Sequence, residues 1–350
     1  MESIALGENL LIILSSLGLF KFLILQMFQS SHIITGEYMK RRDFIKTGII
    51  STIAFPPLLN SLGSQAEKSV KANKLIEEGY QPLFDGKTLN GWHASHRFPT
   101  PLYPGGPEPD KNSDWFKNAN KSKGRYIVEN GELIGGQDPP GSGLGGYLVS
   151  DEKYGDFELL IDVKPDWPID TGILVRTKET GSPGFQILVD HRKSGGIGGF
   201  YGNGLGGFHA LPYNFDAKYD KDGNAIGLIP EKPETTLEPV TEVKRKMLAY
   251  AAPVEEFLNT WKWADWNTFK IRCEGKYPYL TTWINGVKIC ELDTEKIIFP
   301  NYNKDDIYNF LGREGHISLE IHDNDPALGK NRWWPGAVCR WRNIYLKKLT

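Results

Sequence analysis

The chain has 350 residues, of which 40% are hydrophobic and 24% charged, with a formal net charge of −2. That is ordinary globular composition, enough for one large β domain or two smaller ones. Near-neutral charge, with no Lys/Arg cluster beyond the N-terminus, leaves no electrostatic footprint for nucleic acid.

Two export-like segments open the sequence. Leu10–Phe28 (LLIILSSLGLFKFLILQMF) is apolar enough for a membrane anchor. From Met39, a basic stretch, a short apolar core and a Ser64-Gln65-Ala66 end follow the plan of a cleavable signal peptide. Its Arg41-Arg42-Asp43-Phe44 run resembles the twin-arginine export motif. The favoured reading makes Met39 the true start and residues 1–38 a mis-called upstream segment, the alternative being a real anchor and hence a membrane association. Residues 39–66 would then be a twin-arginine-type signal peptide, 67–79 a lead-in and 80–350 the functional domain, in a periplasmic or extracellular protein.

The rest reads as strands and turns. Gly124–Gly136 (GRYIVENGELIGG) places Asn130-Gly131 between two alternating segments, the strongest short hairpin signal. YGDFELLIDVKP, TGILVRT and GFQILVDH follow as strands. A meander over WNTFKIRCEGKYPYLTTWINGVKICEL turns at Glu274-Gly275 and Asn285-Gly286, and HISLEIHD and VCRWRNIYLKKL are the last two strands. Val243–Phe257 holds the one helical pattern, with Pro253 as a breaker. Many short antiparallel strands predict an all-β sandwich or jelly roll. Pro99–Asn112 and Tyr213–Pro239, rich in Pro, Gly or charge, are expected as long rim loops. Cys273, Cys290 and Cys339 are too few and too odd in number for a disulfide framework, and no CxxC suggests structural zinc.

Eight glycines fall between Gly195 and Gly207, and Gly202–Gly207 satisfies GxGxxG literally. No helix pattern follows, so the nucleotide-binding context is missing. Close backbone approach to a sheet face or a ligand explains the glycines better, with Phe200, Tyr201 and Phe208 as anchors.

Strand alternation sorts the polar residues. Arg176 falls opposite Ile173 and Val175; Gln186 and Asp190 fall opposite Phe185, Ile187 and Val189; Glu320 and His322 fall opposite Ile317, Leu319 and Ile321. His191, at a strand end, is expected to swing toward the rim. Asp190, His191, Glu320 and His322 could ligate a divalent metal or form a base–acid set. Gln186, Phe200, Tyr201, Trp333 and Trp334 are the expected substrate contacts, the aromatics by stacking on sugar rings.

LFDGKTLNGW (Leu83–Trp92), ENGELIGG, YGDFELLIDVK, TGILVR, FQILVDH, WNTFKI, WINGVKI, HISLEIHD and WRNIYLKKL together resemble the 3-keto-disaccharide hydrolase family across residues 80–349. The resemblance implies a concanavalin A-like jelly roll, an extracytoplasmic carbohydrate role and action on glycosides oxidised at C3. Arg176, Gln186, Asp190 and His322 match polar positions of its strand motifs. The chain departs where Glu320-Ile321-His322-Asp323 stands for the family's common Gln-Asp-His-Gly. On this resemblance, His191 and His322 are expected to do base and acid work, oriented by Asp190 and Glu320. Arg176, or a metal on the same side chains, would stabilise an enolate. The competing expectation is a non-catalytic, lectin-like sugar-binding module.

Overall fold

A computed structural model of the chain describes residue 70 and residues 72–350. The apolar stretch 10–28 and the export-like segment 39–66 lie outside the described residues. Among the described residues, no helix is long and apolar enough to cross a membrane.

Two sheets carry the fold. In the first, nine-stranded sheet, β13 (Leu248–Ala251), β16 (Val287–Asp293), β15 (Tyr279–Ile284), β14 (Asn267–Glu274), β6 (Phe157–Pro165), β18 (Cys339–Lys348), β4 (Glu132–Gly136) and β3 (Arg125–Glu129) lie side by side, and β1 (Gln81–Pro82) adds to β18. The second runs β10 (His209–Ala210), β9 (Ile197–Asn203), β8 (Gly184–Val189), β7 (Gly172–Thr177), β17 (His316–Ile321), β5 (Gly146–Ser150) and β2 (Trp92–Ser95). The chain crosses between sheets at β5–β6–β7 and again at β16–β17–β18, so strands remote in sequence become neighbours. This is the concanavalin A-like jelly-roll sandwich.

The sequence makes the elements locally. Asn130 and Gly131, at φ 53° and 80°, turn β3 into β4; Asn285 and Gly286, at 50° and 88°, turn β15 into β16. Both pairs have the left-handed backbone of a two-residue hairpin turn. Ile161, Phe269 and Ile271 of one sheet and Ile173, Ile187 and Leu319 of the other share a single buried core. The three cysteines are buried and free, and β15 separates Cys273 from Cys290.

Two expectations change. The segment Tyr213–Pro239 is no loop throughout: it forms a hairpin, β11 (Phe215–Tyr219) with β12 (Ala225–Pro230), turned by Asp222-Gly223-Asn224. It is anchored by Phe215, whose ring stacks on Phe257 at 4.6 Å. The region around Pro253 is not one helix but α2 (Glu242–Lys246), strand β13 and α3 (Val254–Thr260), with Pro253 capping α3. Two further helices are α1 (Asp114–Ala119) and α4 (Lys304–Leu311), and residues 72–77 are also helical.

The glycine run is a packing device. It forms β9, a tight turn and β10. A Cβ on Gly202 would stand 2.3 Å from Phe208 and one on Gly199 2.7 Å from the Ala210 carbonyl oxygen. At the start of the run, Asp190 N–H donates to the Gly196 carbonyl (2.9 Å), and a Cβ on Gly195 would stand 2.0 Å from the Asp190 carbonyl oxygen. Gly195→Ala must therefore push this turn open. It is expected to cost about 1–3 kcal/mol, read as a Tm fall of several degrees in thermal denaturation.

Candidate functional site

The outer face of the seven-stranded sheet carries polar side chains in register. Tyr201 pairs with Gln186, Gln186 with Leu174, and Leu174 with Ser318, while Glu320 pairs with Tyr147. Loops wall this face into a cleft of about 1080 Å³. That is the upper end of the roughly 300–1,000 Å³ of small-molecule pockets. Gln186, Tyr201, Asp190 and His322 all line it, from three strands and their ends.

On its wall sits Arg97, which sequence reasoning missed. Its Nε donates to Glu320 Oε1 (2.7 Å), Nη1 donates to Asp323 Oδ1, and Nη2 lies 2.7 Å from His322 Nε2. The other nitrogen of His322 lies 2.6 Å from the Asp323 carbonyl. A carbonyl only accepts and a guanidinium only donates, so the ring carries its proton on Nδ1 and offers a lone pair at Nε2. Glu320 is wholly buried, and its second oxygen accepts from Gln186 Nε2 at 2.6 Å. Gln186 reaches Glu320 across β7 because Gly172 stands between them; a Cβ there would lie 2.4 Å from Gln186 Nε2.

Beside this cluster, close enough for His322 to act on Asp170, two carboxyls meet. Asp170 Oδ2 accepts from Arg192 Nε (2.7 Å) and from Arg332 Nη1. Burial alone would raise the Asp170 pKa, but Arg192, His322 and Arg332 together hold it well below the usual carboxylate range. Asp190 is moved the other way. Burial first, then the Asp170 charge, pushes its pKa well above the usual range, so it keeps a proton beside the ionised Asp170. Its Oδ1 is buried without a partner. The pair divides one acid and one carboxylate between two chemically identical groups.

Several expected site residues lie elsewhere. His191 does not swing to the rim. Alternation carries it to the core side with Val189, where its ring packs 4.8 Å from Trp263 and 5.2 Å from Trp167, and its Nδ1 donates to the Asp166 carbonyl. The same alternation points Arg192, not His191, into the cleft beside Asp190. Arg176 leaves the face because its backbone is left-handed (φ 54°), next to a register shift in β17. Its Nε donates to the Gly155 carbonyl and its Nη2 to Asp156 Oδ1. Phe200 pairs with Ile187 and is a core residue. Trp333 is fully buried with Nε1 donating to the Ala337 carbonyl, and Trp334 is exposed outside the cleft. The four candidate metal ligands do not converge: His191 faces the core, and both Glu320 oxygens are engaged. Among the described residues, no three His, Cys, Asp or Glu side chains form a metal-binding group.

The missed residues carried unequal signals. Arg192 was available from the same period that placed Asp190. Arg97 and Asp170 lie just outside strands, where alternation says nothing.

The buried imidazole has a measurable consequence. Burial drives the His191 pKa down to about 4. The folded protein thus binds fewer protons than the unfolded chain between pH 4 and the ordinary histidine value near 6.5. Stability contributed by neutral His191 is present above about pH 6.5 and lost as pH falls toward 4, on the order of 3 kcal/mol. Denaturant unfolding of His191→Phe is expected to show a shallower loss of stability between pH 7 and pH 4 than the wild type.

No curated protein matches the chain. Among solved structures, a provisionally assigned glycosyl hydrolase of Parabacteroides distasonis is 14% identical, covering 79% of this chain and 97% of its own, with a TM-score of 0.41. The carbohydrate-binding module CBM66 of Bacillus subtilis is 10% identical, covering 64% and 92%, with a TM-score of 0.34. The β-glucanase of Bacillus licheniformis is also 10% identical, covering 77% and 97%, again at 0.34. Residues 79–347 match the family described as the 3-keto-alpha-glucoside-1,2-lyase-like domain. That match spans the two-sheet sandwich and every residue that lines the cleft, and the chain belongs to this carbohydrate-active family.

Proposed function

We propose that the cleft cleaves glycosides whose C3 hydroxyl has been oxidised to a ketone, by C2 proton abstraction and β-elimination with net hydrolysis. The observation that carries this reading is the Arg97–His322 pair, a donor and an acceptor 2.7 Å apart on the cleft wall. A ketone oxygen and the proton on its α-carbon are neighbours in the same sense, one asking for a donor and the other for a base. The ketone would take Arg97 Nη2–H in place of the imidazole, releasing His322 Nε2 to accept the C2 proton. The guanidinium then faces the oxygen on which enolate charge develops. Glu320 and Asp323 hold the guanidinium from behind, and the Asp323 carbonyl holds the ring.

Collapse of the enolate forms the C1=C2 bond and breaks the bond from C1 to the glycosidic oxygen, to which Asp190 gives its proton. Water then adds across the double bond. The Asp190 carboxylate takes a proton from the water as its oxygen bonds C1, and protonated His322 returns a proton to C2. Both groups end as they began. Two-carboxylate glycosidase chemistry through Asp190 and Glu320 is less well supported, because Glu320 is wholly buried with both oxygens engaged.

The direct assay offers purified protein a 4-nitrophenyl 3-keto-α-glucoside and its unoxidised parent. Nitrophenol release from the keto form alone is expected; binding without release from either would instead mark a sugar-binding module. Asp190→Asn is expected to slow an alkyl 3-keto-glucoside by about 10²-fold or more, the usual worth of a general acid. It should slow the nitrophenyl one far less, since nitrophenolate leaves unprotonated. Equal losses on both would remove Asp190 from the acid role. We also infer export through the segment 39–66; changing Arg41 and Arg42 to Lys is expected to leave uncleaved chain in the cytoplasmic fraction.

A further inference from the structure

The chemistry above uses the charged floor of the cleft and leaves part of its wall unaccounted for. Trp115, on α1, lines the cleft and is 54% exposed. A large aromatic left open to water on the wall of a sugar-sized cleft is an unpaired apolar face. Leu102, 50% exposed, lines the same cleft, as do Phe98 and Leu144.

The helix beneath Trp115 is tied to the proposed catalytic pair by three consecutive residues. His96 Nδ1 donates to the carbonyls of Ala119 (3.0 Å) and Ser122 (2.9 Å), at the C-terminal end of α1. Phe98 stacks on Phe116 with ring centroids 4.8 Å apart and planes at 23°. Between them Arg97 points the opposite way, to Glu320, Asp323 and His322. Successive side chains of an extended segment point in opposite directions, so this tripeptide clips α1 on one side and holds the donor–acceptor pair on the other. Trp115 is thereby held in a fixed relation to the reacting centre, although α1 itself buries none of its residues.

Charge narrows what would sit there. Six carboxyl side chains and three arginines line the cleft, and each arginine is already bonded to a carboxylate. An anionic ring would meet carboxylates, with no free cation among the described residues of the lining to receive it.

We propose that Trp115 is the platform of an outer subsite, which takes a flat uncharged ring attached to the oxidised sugar, either an aryl aglycone or a second pyranose. This rests on the proposed function for the orientation of the ligand. Its test uses unoxidised ligands, which the elimination chemistry leaves intact, so that failure of the reaction and failure of the subsite are separate results. Methyl α-glucoside, phenyl α-glucoside and maltose are titrated by calorimetry into the wild type, Trp115→Ala and Trp115→Phe. Phenyl α-glucoside or maltose is expected to bind the wild type about five- to tenfold more tightly than methyl α-glucoside. That advantage should vanish in Trp115→Ala and largely return in Trp115→Phe, with methyl α-glucoside binding unchanged throughout. Dependence of the phenyl ligand alone assigns the subsite to aryl aglycones, and of maltose alone to a second sugar. An advantage that survives Trp115→Ala, no advantage in the wild type, or no binding of any of the three overturns the proposal.

Discussion

The guanidinium of Arg97 is bonded on three sides at once, to Glu320, to Asp323 and to the imidazole of His322. Glu320 has no exposure to solvent, and its burial is compensated because Arg97 and Gln186 together engage both of its oxygens. Breaking such a buried pair by removing one partner typically costs about 3–5 kcal/mol, since the remaining charge stays buried and uncompensated. The same contacts fix which ring nitrogen of His322 is free. One arginine from a proline-rich connection therefore sets the tautomer and the orientation of the groups around it.

That arrangement depends on missing side chains as much as on present ones. Gly172 leaves the space through which Gln186 crosses β7, and Gly195 lets the chain after Asp190 fold back on its own backbone. Each glycine costs about 0.5–1 kcal/mol of backbone entropy relative to alanine in regular structure. The cost is met by a continuous core on the other face, where Ile173, Ile187 and Leu319 pack against the opposite sheet. The site face can be polar and thinly packed because the core face is not.

How far the sequence revealed this follows from the kind of signal each residue carries. Asn-Gly turns and alternating strands made the sandwich legible, and alternation alone brought Gln186, Asp190, Glu320 and His322 to one face. The same rule, carried two residues further, sends His191 inward and Arg192 outward; relaxing it at the strand end exchanged the two. Arg176 was not accessible by that rule, because a left-handed backbone angle and a register shift break the period and neither is written in TGILVRT. Arg97 and Asp170 lay beyond the period altogether, since a residue outside a strand has no face until its loop is placed. For Trp333 and Trp334 the residue type suggested stacking, whereas burial of one and the position of the other outside the cleft are tertiary facts.

Two neighbouring clusters in the cleft divide acid from base by different physical means. Around Asp170 the division is electrostatic: Arg192, His322 and Arg332 hold Asp170 ionised, and its charge, added to burial, keeps the proton on Asp190. Around Arg97 it is geometric: a carbonyl on one side of the His322 ring and a guanidinium on the other permit only one tautomer. Elimination next to a ketone needs both at once, a lone pair at C2 and a proton at the glycosidic oxygen, and neither may neutralise the other beforehand. The imidazole is held by the Asp323 carbonyl and Arg97, and the Asp190 proton by burial and the Asp170 charge. The two are electrostatic neighbours, since His322 stands with Arg192 and Arg332 among the groups that depress the Asp170 pKa.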